Sequence, residues 1–334
     1  MTSITALLQY LYAWYNWLFP SPAPAATKCP ILELPDELVL CITDHLAAHD
    51  QFLLSQTCRT MQRLASRDWN EYVRSRSPPE RNEFLIGVAF GAPYHWACEN
   101  CGRLHVVDPH DLPSERRLRP CVRPTDYGAR TWARYYLEHH HIQLALKLSG
   151  RESNRDHLER LLTTHHYATS SRMPMTYSAS PRIVEGHFLL YEKIVVGDCD
   201  RRATYSSMQQ SLVTICPHLA MVDSPLDYRR MMAWLHQTAE FHQAVAHAVI
   251  NPGQEVHRHC RWCPTDYTAV YYQLSGQLIF SAWHDFGAYG SVSNRHWSSQ
   301  ARRQSGLGPQ LPPRFNRMPG ACRAAYTNKR LWRL

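Results

Sequence analysis

The chain has 334 residues, enough for about two domains, and its 44% hydrophobic content with ten Trp and eighteen Tyr excludes disordered, collagen-like and small disulfide-rich classes. The net charge of +8 is not spread evenly, because no Asp or Glu follows Asp285 and nine basic residues do, which leaves everything upstream near neutral. A basic appendage on a neutral body argues against a basic nucleic-acid-binding fold, and eleven cysteines, an odd number scattered along a long chain, argue for a reducing compartment, cytoplasmic or nuclear.

Residues 1–30 form an apolar N-terminal segment, Ile4 to Phe19, followed by a Pro/Ala linker. No basic residue precedes Lys28 and the run is shorter than the roughly 20 residues that span a bilayer. It reads as an amphipathic helix that packs on the body or lies on a membrane surface. From Ile31 the pattern turns helical, with Leu34, Leu38, Ile42 and Leu46 recurring on one face and Pro35, Asp36 and Glu37 at first-turn positions. Short helices over Asp50–Ser55 and Thr57–Ala65 complete a three-helix unit of about 40 residues, too small to be stable alone and expected to lean on a partner or on the rest of the chain. Ser77-Pro78-Pro79 reads as a helix stop and linker.

The stretch Leu34-Pro35-Asp36-Glu37-Leu38, then Ile42, Leu46, Asp50, Leu54 to Arg59 and Leu64-Ala65, resembles an F-box. It departs from that pattern at Gln51, where Leu is usual, with Phe52 and Leu53 alongside to compensate. The resemblance, assigned to residues 31–67, implies a helical module that docks on the Skp adaptor and through it on a cullin scaffold. By matched position, Leu34, Pro35, Leu38, Ile42, Leu46, Leu54 and Cys58 would make or support that contact. Periodicity alone would instead make these leucines the core of a small helical subdomain; the Leu-Pro and Thr-Cys-Arg punctuation favours the F-box.

Further along, Trp132 to Leu148 and His157 to Leu162 read as helices, and Arg182 to Val196 as two strands around Glu185-Gly186. Tyr228 to Ile250 is a long amphipathic helix stopped by Asn251-Pro252-Gly253, and Tyr267 to Trp283 a hairpin turning at Ser275-Gly276. The fold class is α+β: a three-helix F-box followed by a mixed helix and antiparallel-hairpin domain over 84–297, with 298–334 as a flexible basic tail.

Two pairs share one tight spacing, Cys98-Glu-Asn-Cys101 and Cys260-Arg-Trp-Cys263. Thiolates two residues apart chelate one metal from a turn, and two pairs make the four-sulfur set of structural zinc, so Cys98, Cys101, Cys260 and Cys263 are expected to form one site stapling the ends of the domain. A local rival set is Cys98, Cys101, His105 and Cys121, all within 24 residues, and Cys216 and His218 are further donors; the remaining alternative is that the thiols are ordinary buried residues or a redox pair. The segments Trp96 to His105, Cys216 to His218 and Cys260 to Asp266, with Trp283 and Asp285 downstream, also resemble the long C-terminal regions of fungal F-box proteins.

No phosphate-cradling loop, nucleophile elbow or His-Glu-x-x-His motif is present in the sequence. His139, His140 and His141 cannot share one helix face and read as a surface cluster. The expected function is a non-catalytic, substrate-recruiting subunit of a cullin-type ubiquitin ligase whose second domain binds a target protein. The alternative is a zinc-stabilised nucleic-acid-binding protein whose basic tail neutralises phosphates.

Overall fold

The computed structural model describes residues 29–115, 121, 128–132, 135–151, 154–169, 174–197, 213–220, 228–301 and 314–328, with side chains of 128–132, 220 and 228–238 not described. The N-terminal apolar segment read over Ile4 to Phe19 lies outside these residues. Two units divide at Ser75 and Arg76.

In the first unit, a 3₁₀ turn Pro30–Glu33 leads into α1 (Asp36–Asp44), α2 (Ala48–Ser55), α3 (Arg59–Leu64) and α4 (Trp69–Ser75). Asp36 and Glu37 sit in the first turn of α1, where the helix dipole favours acids. The Cys58 thiol caps α3 by accepting from the Met61 N–H at 3.5 Å. Val39 and Met61 are the buried apolar residues of this small core, and Arg63 pairs with Asp36 at 3.2 Å across α3 and α1. The edge-on contact of Phe52 with Trp69, 5.5 Å between centroids, brings α4 into the unit, a helix that the sequence reading left out.

The second unit opens with α5 (Pro78–Gly91), where a linker had been expected. Ser77 is its N-cap: its N–H and its hydroxyl both donate to the Glu80 carboxylate, at 3.0 and 2.6 Å. Pro78 stands at a position whose N–H would have no helical partner, so proline here starts a helix rather than stopping one. The other end of α5 is tied down by Lys147, which donates to the carbonyls of Ala89, Ala92 and His95; burial lowers its ammonium to about 8.

The chain then forms a hairpin, β1 (His95–Cys98) with β2 (Arg103–Val106), and a second, β3 (Gly128–Trp132) with β4 (Tyr135–Glu138). The helix expected from Trp132 therefore begins only at His139, as α6 (His139–Leu148). Tyr135 and Leu137 are buried in alternation with Tyr136 and Glu138, a period of two that makes a strand of this stretch. All ten residues of α6 are buried, including His139, His140 and His141, which corrects their reading as a surface cluster.

After α7 (Arg155–Leu161), β5 (His165–Thr169), β6 (Met175–Val184) and β7 (His187–Val196) enter a six-stranded antiparallel sheet. A short hairpin, β8 (Thr214–Cys216) and β9 (Leu219–Ala220), and the long α8 (Tyr228–Ile250) precede β10 (Val256–His259), β11 (Thr265–Tyr272) and β12 (Gln277–Ala288). The strand order is β10-β11-β12-β7-β6-β5. The two-residue turn Glu185-Gly186 has φ of 50° and 74°, the positive pair that matches a hairpin's twist. On the buried face α8 contributes Phe241, Ala244, Val245 and Ala248 to the main core, together with α6 residues such as Ile142 and Leu148. Antiparallel strands with helices laid on them are the α+β class expected.

α9 (Arg295–Ser298) follows the sheet, and α10 (Ala321–Thr327) packs on it through Cys322 and Tyr326, which cluster with Val184, Leu189 and Trp283. Residues 314–328 are thus part of the fold, although composition had assigned them to a flexible tail. Asp266 is the reason: its carboxylate accepts from the backbone N–H groups of Gly320, Cys322 and Arg323 at 3.0, 2.7 and 3.1 Å. No helix of the described residues is long and apolar enough to cross a membrane.

Candidate docking face and Cys3His clusters

α1 carries apolar residues all round, and it can bury only one stripe of them against α3. Val39 and Thr43 take the inward face, which leaves Leu38, Leu40 and Ile42 exposed with Leu32 and Leu34 of the preceding turn. Leu38 is 51% exposed and Ile42 43%, so these residues are not the core of the unit. Pro35 is exposed too, while Leu46, Leu54 and Cys58 are half-buried. Five large apolar side chains are exposed within eleven residues, a density that monomer surfaces rarely show.

In the second unit the β1–β2 turn is a metal-binding knuckle in form. Gly102 has φ of 61° and its N–H donates to the Cys98 carbonyl at 2.9 Å, which turns both Cys98 and Cys101 to one side. His105 of β2 presents Nε2 to the Cys101 and Cys121 sulfurs at 3.0 and 3.4 Å, and the Cys98 and Cys121 sulfurs are 3.8 Å apart. Around a zinc ion with Zn–S of about 2.3 Å, tetrahedral sulfurs are separated by about 3.8 Å, whereas a disulfide would require about 2 Å. Trp96 stacks on the His105 ring at 4.8 Å and fixes its plane. The Glu99 carboxylate accepts the Val292 N–H at 2.6 Å, anchoring the turn to the chain beyond β12. Burial raises the Cys98 and Cys101 thiols above their ordinary range, the cost that a bound cation would remove.

Cys260 and Cys263 join β10 to β11. Their turn is closed by Cys260 N–H to the Thr265 carbonyl and Thr265 N–H to the Cys263 carbonyl, both 2.8 Å, and the Trp262 N–H points at the Cys260 sulfur at 3.4 Å. The tight β8–β9 turn at Pro217-His218 brings Cys216 and His218 to the same point, Sγ to Nδ1 3.9 Å. Burial holds the Cys216 and Cys263 thiols well above the usual range. For Cys260 burial acts the same way, but hydrogen bonds from Cys216, Cys263 and His218 outweigh it and hold that thiol well below the usual range.

The donor atoms of Cys98, Cys101, His105 and Cys121 all lie within 4.8 Å of one another, as do those of Cys216, His218, Cys260 and Cys263. Each Cys-x-x-Cys pair thus closes on donors of its own, which corrects the single site shared by Cys98, Cys101, Cys260 and Cys263. The reason is topological: the first pair turns a free-standing hairpin and the second turns the edge of the six-stranded sheet. The local rival quartet is assembled, and the two further donors Cys216 and His218 complete the other set. Both Cys3His groups could hold zinc.

Two more groups escaped the sequence reading because no spacing announces them. Asp111 meets His140 and His141 at 3.3 and 3.4 Å. His140 also faces Glu138 at 3.3 Å and His141 Nδ1 accepts the Glu138 N–H at 3.1 Å, so these donors are committed within a buried network that fixes the start of α6. The second is His187, Asp285 and His296.

Residues 31–75 match the F-box-like family model. The chain is an F-box domain-containing protein. The F-box extends past the expected limit at 67 to take in α4, in agreement with the division of the units at Ser75. Searches of curated proteins and of solved structures found no significant match to the chain, so the family assignment rests on the F-box. F-box domains generally bind the Skp adaptor of ubiquitin ligases.

Proposed function

We propose that this protein is a substrate-recruiting subunit of a Skp-cullin-F-box ubiquitin ligase. The exposed face of Leu34, Leu38 and Ile42 carries the reading: these side chains are apolar, outward, and not needed for the core of their own unit. Inserted into an adaptor groove, a few aliphatic anchors of this kind supply most of the binding energy. The half-buried Leu46, Leu54 and Cys58, with the exposed Pro35, would make or support the same contact. The second unit binds a target protein, and its effect is to raise the target's concentration near the charged ubiquitin-conjugating enzyme; the chain itself does no chemistry.

In this reading each Cys3His cluster holds a structural zinc. Four protein donors leave no position for substrate, and the ions secure two turns that otherwise bring together desolvated thiols. Against a nucleic-acid role, three of the basic C-terminal residues are engaged within the fold: Arg317 pairs with Asp266, Arg323 lies over Trp283, and Arg295 lies over Phe315.

The test is co-purification of the full chain with the Skp adaptor. A stoichiometric complex is expected, abolished by Leu34→Asp with Leu38→Asp, two exposed sites where the charge leaves the fold intact. Failure of well-folded protein to bind the adaptor overturns the reading.

A further inference from the structure

The geometry points to a third metal site, distinct from both Cys3His clusters: an open, solvent-facing centre for a divalent first-row transition ion, held by His187, Asp285 and His296. It does not depend on adaptor docking.

The three donors come from three places that the fold forces together. His187 is the first residue of β7, directly after the Glu185-Gly186 turn. Asp285 lies in β12 where its register with β7 slips between Asp285 and Ala288. Such an irregularity re-aims a side chain at the rim of a sheet, which is where these features recur at functional sites. His296 is in the first turn of α9, set by Asn294, whose side chain accepts the His296 N–H at 2.9 Å.

The distances suit one ion. His187 Nδ1 is 3.0 and 3.2 Å from the two Asp285 oxygens, His296 Nε2 is 3.6 Å from Asp285 Oδ2, and the donor atoms all lie within 4.8 Å of one another. Nitrogen and oxygen ligands at about 2.0–2.2 Å from a tetrahedral ion stand about 3.4 Å apart. The Gly287 N–H donates to Asp285 Oδ1 at 2.8 Å, orienting the carboxylate as outer hydrogen bonds do for metal ligands. Phe315 packs edge-on against the His296 ring, 5.1 Å between centroids, and limits its rotation.

Gly287 is the most telling residue. Its φ is +87°, and a Cβ there would lie 2.8 Å from the His296 Cβ, so only glycine lets His296 approach Asp285 this closely. The donor set, three nitrogen and oxygen ligands against four sulfur and nitrogen ligands in each Cys3His cluster, decides the kind of site. Side-chain exposure is 40% for His187 and 31% for His296 against 17% for Asp285, a carboxylate set back between two accessible imidazoles. Two imidazoles and one carboxylate leave at least one coordination position to an exchangeable oxygen ligand, water in the free protein, in the pattern of reactive rather than structural centres.

Zn2+ binding to the full chain, counted by native mass spectrometry and followed by calorimetry, tests this. The expected result is one saturable ion per chain that disappears in the His187→Ala, His296→Ala double variant and survives substitution of cysteines in either cluster. Gly287→Ala, which removes no donor, should weaken the same ion at least about tenfold. With Co2+ in its place, the extra ion should add no thiolate charge-transfer absorption. An ion count unchanged by the double variant, with its circular dichroism that of the parent, means a hydrogen-bonded cluster only and overturns the proposal; so does a parent chain whose every ion is lost with the cysteines.

Discussion

Arg317 closes an ion pair of 2.7 Å with Asp266, and both side chains are largely withdrawn from solvent, at 19% and 4% exposure. The same carboxylate accepts three backbone N–H groups from the start of α10, so one acid on β11 positions a helix more than fifty residues later. Removing one partner of a buried charge pair leaves the other uncompensated, at a cost of about 3–5 kcal/mol. Asp266→Ala should therefore release residues 314–328 from the sheet, seen as loss of amide-exchange protection in α10 while β6 and β7 stay protected. Unaltered protection there would show that the apolar contacts of Cys322 and Tyr326 suffice.

The proposed docking face makes a local prediction. Leu38→Asp alone should weaken adaptor binding by about 2 kcal/mol or more, roughly thirtyfold, because a central anchor would carry a charge into an apolar groove. Leu274→Asp, at a fully exposed turn position of the second unit, is the matched control and should bind like the parent. Equal losses in both would count against a face confined to the F-box.

Two separate clusters and one shared site differ in what a single cysteine removes. Cys98→Ser and Cys260→Ser should each lose one zinc per chain, measured by elemental analysis, and the double variant should lose both. One shared ion would give the same count in all three variants. Chelation should also lower the thermal midpoint of the second unit, since metal binding there contributes folding free energy.

The buried His139 makes the fold sensitive to acid. Burial lowers its imidazole from the usual 6.5 to about 3, with the charge of His140 adding to the effect, so the folded chain keeps it neutral while the unfolded chain protonates it. The unfolded state binds the extra proton between about pH 6.5 and 3, and stability is lost as pH falls through that window, by at most about 1.4 kcal/mol per pH unit from this residue. Denaturant melts of His139→Gln against the parent should converge as pH is lowered from 7 to 5. Parallel curves would assign the acid sensitivity elsewhere.

Much of this arrangement was legible because it is local. The Glu185-Gly186 turn, the Asn251-Pro252-Gly253 helix stop and the Leu-Pro start of the F-box are each decided by a few residues and their backbone preferences. Ser77-Pro78-Pro79 was local as well but ambiguous: proline ends one helix and begins another equally well, and only the Glu80 carboxylate on Ser77 resolved it. Trp132 to Leu148 misled because the alternation of Tyr135 and Leu137 is too short to register beside the long apolar run of α6.

What the chain's sequence determined by itself, then, was the F-box, the strand and helix periods, and the chemistry available at each Cys-x-x-Cys turn. Which donors meet was decided by tertiary structure alone. A pair two residues apart specifies half a site. The other half came from His105 and Cys121 in one case and from Cys216 and His218 in the other, because strand order, not sequence distance, sets which turns share an end of the sheet. His187, Asp285 and His296 meet for the same reason: two neighbouring strands and a glycine without a Cβ bring them within reach, and no spacing in one dimension encodes that.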